Sequence, residues 1–138
     1  MKFVQIKYPD LKLLEQFIAD AGSSLKSFRY FQSRSIDVVK NHLCTFLLLD
    51  EEKPVAYGHL DSENGIVWLG TAVSEKYVGL GLGVMMVNEL LNFAKQNNIK
   101  EIKLTVDDDN AAAIKLYEKS GFIYQEKKGT VRFYKLIL

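Results

Sequence analysis

Apolar and polar positions along this chain follow two different periods, and the switches between them mark out the elements. Lys2–Lys7 reads as a short strand, and Pro9-Asp10 opens a helix whose apolar stripe is Leu11, Leu14, Ile18 and Phe17. Gly22-Ser23-Ser24 stops that helix. Leu25–Arg34 is rich in aromatics, shows no clear period and is long for a plain connector, a character typical of functional loops. Ser35–His42 reads as a short second helix with Ser35 as its cap.

Strand grammar follows. Leu43–Leu49, Val55–Leu60 and Ile66–Val73 read as strands joined by the turns Asp50–Pro54 and Asp61–Gly65, an antiparallel meander. Gly79-Leu80-Gly81-Leu82-Gly83 then leads into a helix reaching about Asn97, with Met86, Leu90 and Phe93 or Ala94 inward. Glu101–Val106 is a strand, and Asp107–Asn110 caps a helix that stops at Gly121. Phe122–Glu126 and Val131–Leu138 are the last strands. Seven strands interleaved with four helices, on a mostly antiparallel sheet, give an α+β or mixed α/β class.

Composition narrows the function classes. The 138 residues suit one domain over 1–138, and 48% apolar with 25% charged residues is the balance of a globular chain. Lys+Arg number 18 against 17 Asp+Glu, so no basic footprint for nucleic acid exists. Cys44 stands alone, which rules out an internal disulfide and a cysteine zinc cage and makes a reduced, cytoplasmic setting the expectation. No metal site is expected. The N-terminus lacks the apolar core of a signal peptide, and runs such as Phe46–Leu49 fall far short of the ~20 residues that span a bilayer.

Two segments carry chemistry. The alternate glycines Gly79, Gly81 and Gly83 sit between a strand and a helix, where bare backbone and a helix start suit phosphate; a tight turn is the plain alternative. A dinucleotide fingerprint needs glycine where Val84 stands, and a Walker loop needs Lys after Gly83, so both fail. In the second segment, Asn110 and Tyr117 lie seven positions apart, on nearly the same helix face, with the small Ala113 between them. A capped helix with Tyr117 at a core edge is the plain alternative there.

The glycine loop after a strand, then the strand Glu101–Val106, the block Asp109-Asn110-x-Ala112-Ala113-Ile114-x-Leu116-Tyr117-Glu118-Lys119-x-Gly121-Phe122 and two last strands, resembles the GNAT family, the Gcn5-related N-acetyltransferases. The family frame [RQ]-x-x-G-x-[GA] falls on Val78–Gly83, with the glycines matching and Val78 in place of Arg or Gln. The resemblance implies a sheet splayed between Ile66–Val73 and Glu101–Val106, with acetyl-CoA as acyl donor in the gap. Its pantetheine would run along Thr71, Ala72 and Val73, its pyrophosphate on Gly79, Leu80, Gly81, Leu82, Gly83 and Val84, with Asn110, Ala113 and Tyr117 beside it. Tyr117 would protonate the leaving CoA thiolate, and a primary amine would attack directly in a ternary complex.

The acceptor side follows from position. Tyr57, His59 and Asp61 share one strand face by period 2, and His59 is the candidate base; a histidine bonded structurally is its plain alternative, and Glu63 and Glu75 are its rivals. Cys44 reads as a small buried hydrophobe and His42 as a helix-end residue. Phe28, Arg29, Tyr30, Arg34 and Tyr57 are the candidate acceptor residues, with flat faces and guanidiniums suited to a nucleotide-linked amino sugar. That segment faintly resembles GNAT members of surface-polysaccharide synthesis. The expected activity is acetyl transfer to a small-molecule amine, compatible with a homodimer. A peptide N-terminal acetyltransferase of the ribosomal-protein type and a non-catalytic acyl-CoA-binding module are the alternatives; Tyr117 speaks against the latter.

Overall fold

The computed structural model describes all residues from Met1 to Leu138. One seven-stranded sheet runs through it in the order β1-β2-β3-β4-β5-β7-β6. The strands are β1 (Lys2–Gln5), β2 (His42–Asp50), β3 (Lys53–Glu63), β4 (Ile66–Val73), β5 (Glu101–Asp107), β6 (Ile123–Lys128) and β7 (Val131–Ile137). Three α-helices cover it, α1 (Lys12–Asp20), α2 (Leu82–Gln96) and α3 (Ala111–Lys119). The class and the order of strands and α-helices are those expected, but the second helix is changed in kind and three short 3-10 helices, Gly22–Lys26, Tyr30–Gln32 and Glu75–Tyr77, are added. Ile36–Asn41 is a 3-10 helix, capped by the Ser35 side chain accepting from the Asp37 N–H.

The meander differs from the sequence reading at its turns. β3 starts at Lys53 and takes in Pro54, because a register shift between Leu48 and Leu49 lies opposite it. A bulge is one of the few places a sheet accepts a residue without an N–H. The turn expected over Asp61–Gly65 shrinks to Asn64-Gly65, both at positive φ, a pair that closes a two-residue hairpin. Asp61 and Glu63 are therefore strand residues paired to β4, not turn residues.

Two cores flank the sheet. On one side α2 contributes Met86, Leu90 and Ala94, and α3 contributes Tyr117, to a core shared with Phe46, Leu48 and Leu60. On the other α1 sets Leu14 and Phe17 against Leu47, Leu49 and Tyr57. Gly58 sits in mid-strand because a Cβ there would lie 2.6 Å from the Met86 side chain, so its absence sets how closely α2 approaches β3.

The decisive feature lies at the centre. All neighbouring strands are antiparallel except β4 and β5, which run parallel and pair only where Trp68 faces Lys103. Beyond that point they diverge, and the β5-facing edge of Leu69–Val73 has no ladder partner. The expected splay is present, and it opens a cleft into the middle of the sheet.

Candidate active site

The cleft holds about 880 Å³ and reaches from the glycine loop, past the diverging strands, to the aromatic segment after α1. Its glycine end starts α2. Gly79 and Gly81 both have positive φ, 82° and 79°, and a Cβ at either would meet nothing within 4 Å. No side chain caps α2, whose N-cap is Gly81, so its first N–H groups remain free to bond a ligand. Gly83 serves packing instead, since a Cβ there would stand 3.0 Å from Leu116 and its absence lets the start of α2 approach α3. Gly79, Gly81, Leu82, Gly83 and Val84 line the cleft, and the Leu80 side chain points to solvent. A bare, donor-rich loop of this shape fits a pyrophosphate, and the unpaired edge of Thr71, Ala72 and Val73 fits an amide-bearing arm laid down as an extra strand.

Tyr117 stands on α3 where the cleft narrows. It is 6% exposed, its ring meets Phe122 edge-on, and its hydroxyl lies 2.7 Å from Thr71 Oγ1. Burial raises its pKa, and the Thr71 hydrogen bond only partly opposes this, so the phenol keeps its proton at neutral pH. Asn110 lines the same wall and caps α3, its Oδ1 accepting from the Ala113 N–H at 3.2 Å. Both readings of that block hold together, a capped helix and a cleft wall.

The acceptor end is built differently from its expectation in three respects. Tyr57 does not reach the cleft: it is 0% exposed, packed against Phe17 and Phe28 in the α1 core, and its hydroxyl lies 2.7 Å from His59 Nδ1. Strand alternation put Tyr57 on the right face, but α1 and the aromatic segment cover that position. Arg29 is engaged too. It makes two hydrogen bonds to Asp107 at the end of β5, at 2.5 and 2.8 Å, and this pairing holds the Asp107 carboxyl below the usual carboxylate range. Arg34 lies 4.3 Å over the Tyr30 ring and donates to the Tyr30 carbonyl. Glu75 is absent from the cleft lining and accepts from Ser23, while Glu63 does line the cleft. Phe28 and Tyr30 line the cleft as expected.

His59 is 2% exposed and borders the cleft against Gly70 of β4. Its ring stacks on His42 at 4.4 Å and touches Tyr30 at 4.4 Å. His42 closes the 3-10 helix through its backbone N–H, but its ring belongs to a separate chain of bonds. Tyr30 donates to Asp61 at 3.1 Å and lies 2.8 Å from His42 Nε2, and His42 Nδ1 lies 2.8 Å from Thr45 Oγ1. Burial, then the neighbouring His42 and Arg34 charges, hold the His59 pKa well below 6.5. Burial likewise brings His42 down to about 4. Burial pushes the Cys44 thiol up to about 12, as befits a small hydrophobe. Gly70, His42 and Thr45 had no place among the expected site residues. A glycine inside a strand pattern is the available signal for the first, since it marks a close approach.

Two neutral imidazoles, His59 buried and His42 half-buried, make stability depend on pH. The unfolded chain binds protons at these rings as pH falls through about 6.5, while the folded chain does not. The folded state therefore loses stability from about pH 6.5 downward. The slope is at most about 1.4 kcal/mol per pH unit for His59. His42 stops adding to the slope near its folded pKa of about 4. Urea unfolding at pH 7 and pH 5 should show the wild type losing more stability than His59→Gln; parallel losses would mean that His59 is not held neutral.

The cleft, the splay and the Tyr117 wall come with a family match. The model of the acetyltransferase (GNAT) family matches residues 11–122. The chain belongs to the GNAT acetyltransferase family. The spermine/spermidine N(1)-acetyltransferase of Bacillus subtilis (strain 168) is 39% identical over 64 residues, 45% of this chain and 42% of that protein. The match thus spans less than half the length of that GNAT relative. PaiA N-acetyltransferase from Thermoplasma acidophilum, solved with coenzyme A, has a TM-score of 0.78 at 17% identity over all of both chains. The ribosomal-protein-S18-alanine N-acetyltransferase of Escherichia coli has a TM-score of 0.75 at 22% identity, over 99% of this chain and 92% of that one. At these identities the likeness is one of fold. No helix of this GNAT chain is long and apolar enough to cross a membrane.

Proposed function

We propose that this chain transfers the acetyl group of acetyl-CoA to a primary amine of a small, cationic amine, by direct attack in a ternary complex. Bound on the glycine loop and along Thr71–Val73, acetyl-CoA supplies the activated acetyl thioester. The chain's own groups do the rest. The start of α2 offers N–H groups to phosphate, the β4 edge holds the arm extended, and Tyr117 keeps a proton at its Oη for a leaving thiolate.

The acceptor class rests on one observation, the charge at the far end of the cleft. Asp61, Glu63 and Asp107 line it with Arg29 and Arg34, and both guanidiniums already have partners. An anionic sugar nucleotide would face three carboxylates and would have to break the Arg29–Asp107 pair to use that guanidinium. A cationic amine meets spare carboxylate charge and the flat faces of Phe28, Tyr30 and Trp68, which favour cations. A polyamine such as the one named for the Bacillus subtilis relative has this chemistry.

Thiol release from acetyl-CoA, followed with spermidine, putrescine, an amino-sugar nucleotide and an alanine-terminated peptide, tests the reading. The polyamines should give the highest kcat/KM. A preference for the sugar nucleotide or the peptide would overturn the acceptor class. Tight acetyl-CoA binding with no amine-stimulated release would mark a non-catalytic module.

A further inference from the structure

We infer that His59 serves the cleft as a hydrogen-bond donor, its Nε2–H fixed by the Tyr57 hydroxyl behind it, and that it is not the base that takes the amine's proton. This role deepens the acetyl-transfer reading above and rests on it for its catalytic meaning.

Tyr57 decides the tautomer. Its hydroxyl is wholly enclosed, and His59 Nδ1, at 2.7 Å, is its one hydrogen-bond partner. A phenol has a single proton to give. If Nδ1 carried the imidazole proton, the Tyr57 O–H would be buried with no acceptor, and its full desolvation cost would go uncompensated. If Tyr57 donates to Nδ1, every group is satisfied, and a neutral ring must then carry its proton on Nε2. The surroundings keep the ring neutral. His42 of β2 stacks on it, Tyr30 and Phe28 of the loop enclose it, and Arg34 lies over Tyr30. Asp61, the carboxylate of the same strand face, is already bonded by Tyr30.

The other nitrogen faces outward. Nε2 has no partner in the protein, yet no buried side-chain polar atom of the chain lacks one, so Nε2 opens to the cleft. Gly70 sets where it opens. A Cβ at Gly70 would lie 2.6 Å from Cε1 and 3.0 Å from Nε2, so the ring rests on bare β4 backbone, one residue before Thr71. The N–H therefore stands beside the diverging edge, where a neutral donor serves an oxygen that gains negative charge during acyl transfer. Asp61 and Glu63, at the same end, are then the groups placed to take the amine's proton.

Side-chain nitrogen NMR on the free protein at pH 7 reads the tautomer directly, with His42→Gln assigning the two rings. His59 should show a protonated Nε2 and an accepting Nδ1, and Tyr57→Phe should release the lock. A protonated Nδ1, or an imidazolium, would overturn the inference; the wild-type spectrum decides this even if Tyr57→Phe fails to fold. Kinetics give the second arm. His59→Gln keeps a side-chain N–H and should hold kcat within about tenfold, whereas His59→Leu should lose about 10²–10³-fold. Equal losses in both variants would point back to a base. The spectrum needs no acetylation, so a failed amine panel with an Nε2–H ring would sink the acceptor reading and leave the donor assignment standing.

Discussion

Tyr117→Phe should lower kcat by about 10²–10⁴-fold and leave acetyl-CoA binding nearly unchanged. The phenol is enclosed on α3, 2.7 Å from Thr71 Oγ1, and burial holds its proton in place at neutral pH. Phenylalanine keeps the ring against Phe122 and removes only the hydroxyl. Folding should suffer little, by about 1 kcal/mol for one hydrogen bond, since Thr71 keeps other orientations open to its hydroxyl. Single-turnover rates beside calorimetric binding of acetyl-CoA measure both quantities. A variant as fast as wild type, with acyl transfer shown to limit the rate, would remove Tyr117 from the proton path.

Gly81→Val should abolish measurable acetyl-CoA binding. Gly81 begins α2 at φ 79°, a region that a β-branched residue avoids, and it lines the cleft with open space where a Cβ would stand. Valine would pull the loop toward negative φ, turn the first N–H groups of α2 aside and set a branched side chain into the phosphate cradle. A Cβ at Gly81 meets no neighbour within 4 Å, so the fold should survive with a modest loss in melting temperature. Gly81→Asn is the control. Asparagine tolerates positive φ, so a folded Asn variant that still binds weakly would assign the loss to the obstructed cradle, not to the backbone. Unchanged affinity in a folded Gly81→Val protein would reduce the loop to a turn.

The elements were legible because each is written locally. Leu14 and Phe17 recur at helical spacing and do face a core, Asn64-Gly65 closes a hairpin, and Gly121 at φ 100° ends α3. Where the sequence reading slipped, a partner distant in sequence decided the outcome. Pro54 joins β3 only because β2 changes register opposite it. Asp61 and Glu63 became strand residues because β4 continues to pair with them. The glycine-loop end of the cleft was legible for the same local reason, since a glycine loop and a helix face with Asn110, Ala113 and Tyr117 need no distant residue to be picked out.

The acceptor end was legible only as a set of residue types. By itself the sequence determined which side chains share a face of β3, that the loop after α1 is aromatic and basic, and that Tyr117 follows Asn110 by two turns. Tertiary structure alone decided what those groups are free to do. It sent Arg29 across 78 positions to Asp107, laid Arg34 on Tyr30, and buried Tyr57 so that its hydroxyl has only His59 to bond. Charge and proton position depend on the nearest few ångströms of solvent, carboxylate and hydroxyl. Those neighbours come from strands and loops far apart in the chain, and folding is what brings them together.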